Sequence, residues 1–407
     1  MSNNPPIIVG EQSKRLLDKY TFTDEDIEII ESEFSDKIKI IPKRTEDEII
    51  TQEYVGYIVL PNNVIIIEPK IPGTVFLNML RFALELPELG RDHPELTKGE
   101  HYYDIVVRFL FSELERILRM GLYTGYKNYD NNVMSVRGKI LLKEHLTQNW
   151  YRSNKIFCSF SEISSDILEN RIIKYTLFYL SHCYFVDETI EPQLIRYYKR
   201  LDGIDLVSIT AEHFRSIEYT TLNQHYRTIH KLCELLLRDS ALDEEIGEKT
   251  AISFLINMNR LFDEFVGNLL KRRLGDYNIE LQKTEHPEKK GKRLEVILDI
   301  LISRNKKPIL IIDTKYQKFP GNAKVSHLEQ LSLYSITTNV KNCVLIYVGK
   351  SQIPLPYILK EDIIVNVVCF DLEAENENLF NLKCEALTDE IREILESISK
   401  EKRGVSF

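Results

Sequence analysis

Ile309-Leu310-Ile311-Ile312-Asp313-Thr314-Lys315-Tyr316 is a run of four aliphatic residues that leads directly into an acid and a base. Four consecutive apolar residues predict a strand buried on both faces, in the middle of a covered sheet. Charge at the end of such a strand needs a physical reason. Side chains alternate along a strand, so Asp313 and Lys315 project to one face and Thr314 to the other. A carboxylate and an ammonium therefore share one small volume. Just upstream, Leu294-Glu295-Val296-Ile297-Leu298-Asp299-Ile300-Leu301-Ile302 carries Asp299 in a second apolar strand, and Arg304-Asn305-Lys306-Lys307 predicts a turn that returns the chain beside it. In such a hairpin Asp299 and Asp313 converge on one end of the sheet. Two desolvated carboxylates repel each other, and a divalent cation relieves that repulsion. Mg²⁺ suits the pair, because it takes one or two carboxylates and keeps waters for a substrate phosphate. Lys315 is then placed to orient a water or to offset charge growing on phosphorus. The bland alternative is an internal Asp–Lys pair that satisfies itself, with Asp299 capping a turn, since short motifs match by chance.

Two helices are expected beside this hairpin. Over Leu255–Leu270 the stripe Leu255, Met258, Phe262, Phe265, Val266, Leu269 predicts a helix with Asp263 at the rim of its apolar face. After Lys315, Leu328–Ile336 predicts a helix on which Gln330 and Tyr334 stand four apart, on one face. Asp263, Gln330 and Tyr334 are candidate auxiliary residues, set against a solvated rim carboxylate and ordinary packing of the tyrosine. Among the nine histidines no paired or HExxH spacing occurs, and His327 alone lies near the expected site.

Working outward, periodicity divides the chain into three zones: 1–100, 101–248 and 249–407. In the first, Tyr54–Leu60 and Val64–Glu68 flank Pro61-Asn62-Asn63 as two strands flank a turn, and Leu77, Leu80 and Leu84 follow with helical spacing. The second is expected to be mainly helical, with Val106, Leu110, Leu114, Ile117 and Leu118 on one face and Ile172, Tyr175, Leu177 and Phe178 on another. Within it Gly121–Lys139, rich in Tyr, Asn and Gly, is expected to be a loop or hairpin closed by Arg137-Gly138. The third alternates helix and strand, an α/β order, with further strands at Cys343–Val348 and Ile363–Phe370. The fold class expected is a multidomain α+β protein with a β-rich start, a helical middle and an α/β nuclease-like end around a mixed central sheet.

Composition narrows the function classes. A net charge of −9 and a pI near 5.7 exclude a chain whose whole surface attracts nucleic acid, so any such affinity must be local or borrowed. Lys271, Arg272, Arg273 and then Lys289, Lys290, Lys292 and Arg293 are the richest local source, with a solvated helix end as the alternative. The six cysteines are far apart in apolar surroundings and predict buried thiols. The longest apolar runs are far short of the ~20 residues a membrane span needs, and Met1–Pro6 lacks a secretory pattern, so a cytoplasmic location is expected. No GxxxxGK[ST] loop, GxSxG elbow or kinase signature is present, and the chain itself is expected to bind no nucleotide.

Several collinear stretches resemble McrC, the nuclease-subunit family of McrBC-type, 5-methylcytosine-specific, GTP-dependent restriction systems and part of the PD-(D/E)xK superfamily. They are Tyr54-Val55-Gly56-Tyr57-Ile58, Ile67-Glu68-Pro69-Lys70-Ile71, Val136-Arg137-Gly138-Lys139-Ile140, Ser165-Asp166-Ile167-Leu168-Glu169-Asn170-Arg171-Ile172-Ile173-Lys174, Met258-Asn259-Arg260-Leu261-Phe262-Asp263-Glu264-Phe265-Val266, Asp299, Ile311 to Tyr316, and Gln330 with Tyr334. The resemblance implies an endodeoxyribonuclease whose metal-binding acids fall on Asp299 and Asp313, with the Thr314 main-chain carbonyl as a further ligand and Lys315 as the catalytic lysine. The proline that often precedes the first acid is replaced by Leu298. It implies Mg²⁺, with Mn²⁺ as a substitute, double-stranded DNA as substrate, no membrane, and a McrB-like AAA+ GTPase hexamer as partner, docked on the β-rich zone and on Gly121–Lys139. Arg137 is a candidate partner contact, with a structural salt bridge as its alternative. Two other readings stay open: an adaptor that activates an AAA+ ring while its own nuclease fold is inert, and a stand-alone repair or RNA nuclease.

Overall fold

Ile and Val dominate the first strands because branched side chains suit a pleated, half-buried surface. The computed structural model describes residues 5–86, 102–151, 154–183, 185, 187–238, 252–285, 296–350 and 356–404. The chain groups into two compact units, residues 1–102 with 255–407, and residues 103–254.

The N-terminal segment runs β1 (Ile7–Gly10), β2 (Lys14–Asp18), α1 (Asp24–Glu33), β3 (Ile38–Pro42), β4 (Glu46–Thr51), β5 (Tyr54–Val59), β6 (Val64–Glu68) and α2 (Gly73–Ala83). The strands β2, β4 and β3 make an antiparallel sheet, with β4 in the centre. The expected hairpin at Pro61-Asn62-Asn63 is present: β5 pairs antiparallel with β6, and β1 adds to β6 in parallel. The turn is held from α1, whose capping box joins Thr23 and Asp26. Asp26 is buried and also accepts from Asn63 Nδ2 at 2.8 Å and from the Asn62 main chain at 3.2 Å.

The second unit holds α3 (Tyr102–Met120), β7 (Gly125–Val133), β8 (Lys139–Ile140), α4 (Leu142–Gln148), β9 (Ile156–Ser164), α5 (Leu168–Leu180), α6 (Ile190–Arg200), α7 (Ala211–Arg215) and α8 (Arg227–Arg238). The helical patterns are borne out: Val106, Leu110, Leu114 and Ile117 of α3 are buried, as are Ile172, Tyr175 and Leu177 of α5. The middle is less purely helical than the sequence suggests, however. Gly121–Lys139 supplies β7, which pairs with β9 over nine residues, and β8 adds on the far side of β9. Asn-rich β7 has poor strand propensity, and cross-strand partners such as Tyr129 and Phe160, stacked at 5.8 Å, override it. Asp166 anchors the foot of this sheet, paired with Lys127 of β7 and with Arg171 at 2.6 Å, and those cations hold its carboxyl well below the usual range. Asn170 donates to the carbonyls of Tyr123 at 2.9 Å and Ser165 at 2.7 Å. The Ser165–Lys174 stretch thus has a structural role.

The chain returns through β10 (Ile252–Asn257), then α9 (Met258–Arg273), β11 (Asn278–Glu285), β12 (Val296–Arg304), β13 (Lys307–Lys318), α10 (Val325–Thr338), β14 (Asn342–Val348), β15 (Tyr357–Ile358), β16 (Ile364–Phe370) and α11 (Glu377–Gly404). The helix expected from Leu255 begins instead at Met258, because the Asn257 side chain caps it by accepting from Arg260 N at 3.1 Å, leaving Leu255 in β10. The sheet order is β11-β12-β13-β14-β16-β15. Its first three strands are antiparallel, and β13, β14 and β16 are parallel. As expected for strands apolar on both faces, Leu310–Ile312 and Cys343–Tyr347 are fully buried. All six cysteines are free and buried.

Candidate active site

The hairpin that carries the acids turns at Asn305 and Lys306, both in the left-handed region (φ 53° and 63°), as a tight turn between twisted strands requires. The register pairs Ile302 with Leu310, Leu301 with Ile311 and Ile300 with Ile312. Continued by one residue, it sets Asp299 opposite Asp313. Here the paired ladder stops, and the Asp299 carboxylate accepts the Thr314 N–H at 3.1 Å, a main-chain donor that the neighbouring strand no longer serves. Acids directly opposite each other on one face destabilise a sheet unless something neutralises them.

Lys315, two residues along the same face, puts Nζ 2.6 Å from Asp313 Oδ2. Asp313 is completely buried, and among the described residues its Oδ1 has no hydrogen-bond partner. Burial, and next the Asp299 charge, pushes Asp313 up to about 7. Asp299 is likewise raised, chiefly by burial. Lys315 also donates to Gln330 Oε1 at 3.1 Å, and Gln330 Nε2 donates to the Tyr334 hydroxyl at 2.5 Å. The two α10 residues that sequence spacing put on one face are thus joined in a chain that fixes the lysine.

Asp263 is not an exposed rim carboxylate. It accepts from the Thr314 hydroxyl, and burial, followed by repulsion from Asp299, pushes it up to about 8. His327 bonds to the Tyr347 hydroxyl at 2.6 Å and to Gln317 at 3.3 Å, and burial plus the Lys315 and Lys324 charges hold it at about 4. It is neutral near pH 7 and remote from the acids in its bonding. Arg137 forms an ion pair with Glu162 and lies over the Phe160 ring. Lys271, Arg272 and Arg273 form the last turn of α9, where cations complement the helix dipole; Lys289, Lys290, Lys292 and Arg293 lie outside the described residues.

Sequence reasoning missed one residue that supports the site. Glu11, in the turn after β1, is buried and accepts from the Tyr316 hydroxyl at 2.8 Å and from Lys70 N at 2.9 Å. One carboxylate oxygen thereby ties the end of β13 to the N-terminal sheet. A lone acid in a turn carries no periodic signal.

The fit to a divalent cation rests on the donors themselves. Two desolvated carboxyls, one with an orphaned oxygen, fit a hard cation that needs only one or two protein carboxylates. Among the described residues no group of three His, Cys, Asp or Glu side chains is gathered to hold a metal, so Asp263 does not complete a three-acid cage.

The family model for McrBC 5-methylcytosine restriction system components matches residues 49–348. The chain belongs to that family. A McrBC relative from Escherichia coli K12, the type IV methyl-directed restriction enzyme EcoKMcrBC, is 25% identical over 261 residues, spanning 62% of this chain and 75% of the relative. Among solved structures, a chain from the Thermococcus gammatolerans half-complex of McrB AAA+ hexamers with bound McrC aligns with a TM-score of 0.57 at 18% identity, over 95% of this chain and 100% of that one. This likeness shows the fold alone.

Proposed function

We propose that this chain is the DNA-cleaving subunit of a GTP-dependent, McrBC-like restriction complex, with a PD-(D/E)xK site formed by Asp299, Asp313 and Lys315. The observation that carries the reading is the convergence of two desolvated carboxyls from paired strands with a lysine on the same face, placed where the ladder opens. The α9–β11–β12–β13–α10–β14 order supports it, with a helix on either side of the mixed sheet.

In this reading Asp299, Asp313 and the Thr314 carbonyl hold Mg²⁺, or Mn²⁺ in its place, which when bound neutralises phosphate charge and lowers the pKa of a water. Lys315, fixed by Gln330 and Tyr334, orients the attacking water and offsets charge on the phosphorane-like transition state. Asp263 holds Thr314 from behind, keeping its main chain aimed at Asp299. The chain reads no sequence by itself; the McrB-like AAA+ GTPase hexamer recognises and moves double-stranded DNA.

Docking of that partner is assigned to the β7–β9–β8 sheet and the adjoining α4. Tyr126 (78% exposed), Met134 (83%) and Trp150 (80%) stand in solvent there, together with Val136, Leu142, Leu146 and Ile163. Apolar surface of this density on a folded unit marks an interaction face.

With partner, GTP and Mg²⁺ present, Asp313→Ala and Lys315→Ala are expected to lower DNA cleavage at least ~10³-fold while far-UV circular dichroism and partner GTPase stimulation persist. Cleavage that survives in both variants would reject the site. Loss of cleavage in the wild type under every metal, with stimulation intact, would instead identify an adaptor.

A further inference from the structure

A cleft of about 610 Å³ opens where β13, β14 and β16 end together, bounded by Tyr316–Phe319, Val348–Lys350, Asp371–Glu373, Gln12 and Lys70–Pro72. The carboxyl ends of parallel strands are where open α/β sheets bind ligands. We propose that this cleft is a phosphate-binding subsite that takes the nucleic-acid backbone beside the scissile phosphate, with Lys70 and Lys318 as its principal cations and Lys350 at its rim. The assignment rests on the nuclease reading of Asp299, Asp313 and Lys315, and extends it to residues outside that site.

Position comes first. Lys318 lies three residues beyond Lys315 on β13, at most about 10 Å along the strand. A nucleic-acid strand cut at Lys315 therefore passes within a nucleotide or two of the cleft. A register shift between Lys315 and Lys318 interrupts the β13–β14 pairing, which resumes at Lys318 opposite Val348, so Lys318 is held at the mouth of the cleft by β14.

Charge comes second. The two acids that bound the cleft already have cations: Asp371 holds Lys383 at 2.8 Å, and Glu373 lies 3.4 Å from Lys350. That second pair is more than three-quarters exposed on both sides, so a phosphate can displace it at little cost. Lys70 Nζ donates to the side-chain and main-chain oxygens of Gln12 at 3.2 and 3.4 Å, while its main-chain N–H goes to Glu11, whose carboxyl feels the Lys70 charge without forming an ion pair. Lys318 is exposed and, among the described residues, forms no ion pair. The cleft thus keeps two ammonium groups, Lys70 and Lys318, that form no ion pair among the described residues, in a chain of net charge −9. Surplus positive charge at one place on an acidic protein attracts polyanions to that place.

Rigidity comes third. Lys70 follows β6, and its main-chain N–H is held by Glu11, which also holds Tyr316 of β13. The same buried carboxylate therefore fixes Lys70 relative to the catalytic strand. Ile71, Pro72, Phe319 and Leu372 complete the wall, leaving apolar surface for sugar and base beneath the phosphates.

The test is binding of a fluorescein-labelled DNA duplex by the full chain in Ca²⁺, titrated across salt. Lys70→Ala and Lys318→Ala are each expected to weaken binding about 3- to 10-fold at 0.1 M salt and to lower the slope of log K against log salt by about one, with unchanged melting temperature and with Lys318→Arg restoring both. An unchanged slope in both variants, or no measurable DNA binding by the wild-type chain, overturns the proposal. Loss of inorganic phosphate binding in Lys318→Ala with an unchanged DNA slope would make this a small-anion site and also overturn it. The nuclease reading stands or falls separately: if Asp313→Ala abolishes cleavage while the lysine variants bind normally, only the cleft assignment fails, and if Asp313→Ala still cleaves while the slopes drop, only the catalytic assignment fails.

Discussion

In the β12–β13 pair two carboxyls and an ammonium lie inside an otherwise aliphatic sheet, whereas in the β7–β9–β8 sheet aromatic and aliphatic side chains stand in water on an otherwise polar one. Both placements cost folding free energy, in opposite ways: desolvation of two neighbouring carboxyls that share one ammonium in the first, exposed apolar area in the second. On the function proposed above, each cost is removed by a binding event outside the chain, a cation and a phosphate in one case and an apolar partner surface in the other. On that reading the two kinds of misplaced side chain mark two kinds of ligand, and each can be perturbed without the other.

The largest expected effect that separates them is at the exposed sheet. Tyr126→Glu combined with Ile163→Glu puts charge on the proposed docking face, where each apolar side chain buried on association contributes about 1.5–3 kcal/mol. Partner stimulation is expected to fall ~100-fold or more, with the melting temperature of the chain within a few degrees of wild type. Undiminished stimulation, measured as partner GTP turnover, would break the comparison by showing that this face is not what the partner covers.

A smaller effect sharpens the other half. Folded Asp313 and Asp263 hold their protons up to about 7 and about 8, above the ordinary carboxyl value of 3.8, because burial disfavours the charged form. A raised folded-state pKa contributes stability that is fully present below the unfolded value and is lost as pH rises through the folded one. The metal-free chain is therefore expected to lose melting temperature steadily between about pH 4 and pH 8, and Mg²⁺ at pH 8 is expected to restore part of it by binding the folded state alone. Asp313→Asn flattens the slope. A wild-type profile that stays flat from pH 5 to 8 in a metal chelator would show that the acids are not desolvated as described.

The smallest effect concerns the frame of the exposed sheet. Gly138 has φ of +61°, and a Cβ there would meet the Ser159 carbonyl oxygen at 2.3 Å, backbone that has nowhere to move. Gly138→Ala is expected to destabilise the second unit by roughly 1–3 kcal/mol and to weaken stimulation modestly, leaving the pH profile of the acids alone. Chemical denaturation of the variant checks it.

Much of this was legible in the residues. The aliphatic lead-in to Asp313 and the Asn305-Lys306 turn were enough to place β12, β13 and the two acids, because a buried strand with a charged end has few physical explanations. The α10 pair Gln330 and Tyr334 followed from helical spacing alone. The start of α9 was misplaced by three residues, since Leu255 continues the apolar stripe and only the Asn257 cap separates strand from helix. Of the β7–β9–β8 sheet only an ordered loop or hairpin at Gly121–Lys139 was legible, because β7 is polar and Asn-rich and its partner β9 lies across α4 in the sequence. Glu11 was invisible for a related reason: its contacts with Lys70 and Tyr316 span 59 and 305 residues, and nothing local encodes them.

Mn²⁺ binding measured by electron paramagnetic resonance on this chain, without DNA, addresses the proposed metal centre itself. The expected result is tight Mn²⁺ binding by the wild type that Mg²⁺ displaces and that falls at least ~10-fold in Asp299→Asn and in Asp313→Asn but not in Lys318→Ala. Equal Mn²⁺ binding by wild type and both asparagine variants would contradict the account, because the two carboxyls would then have no cation to share.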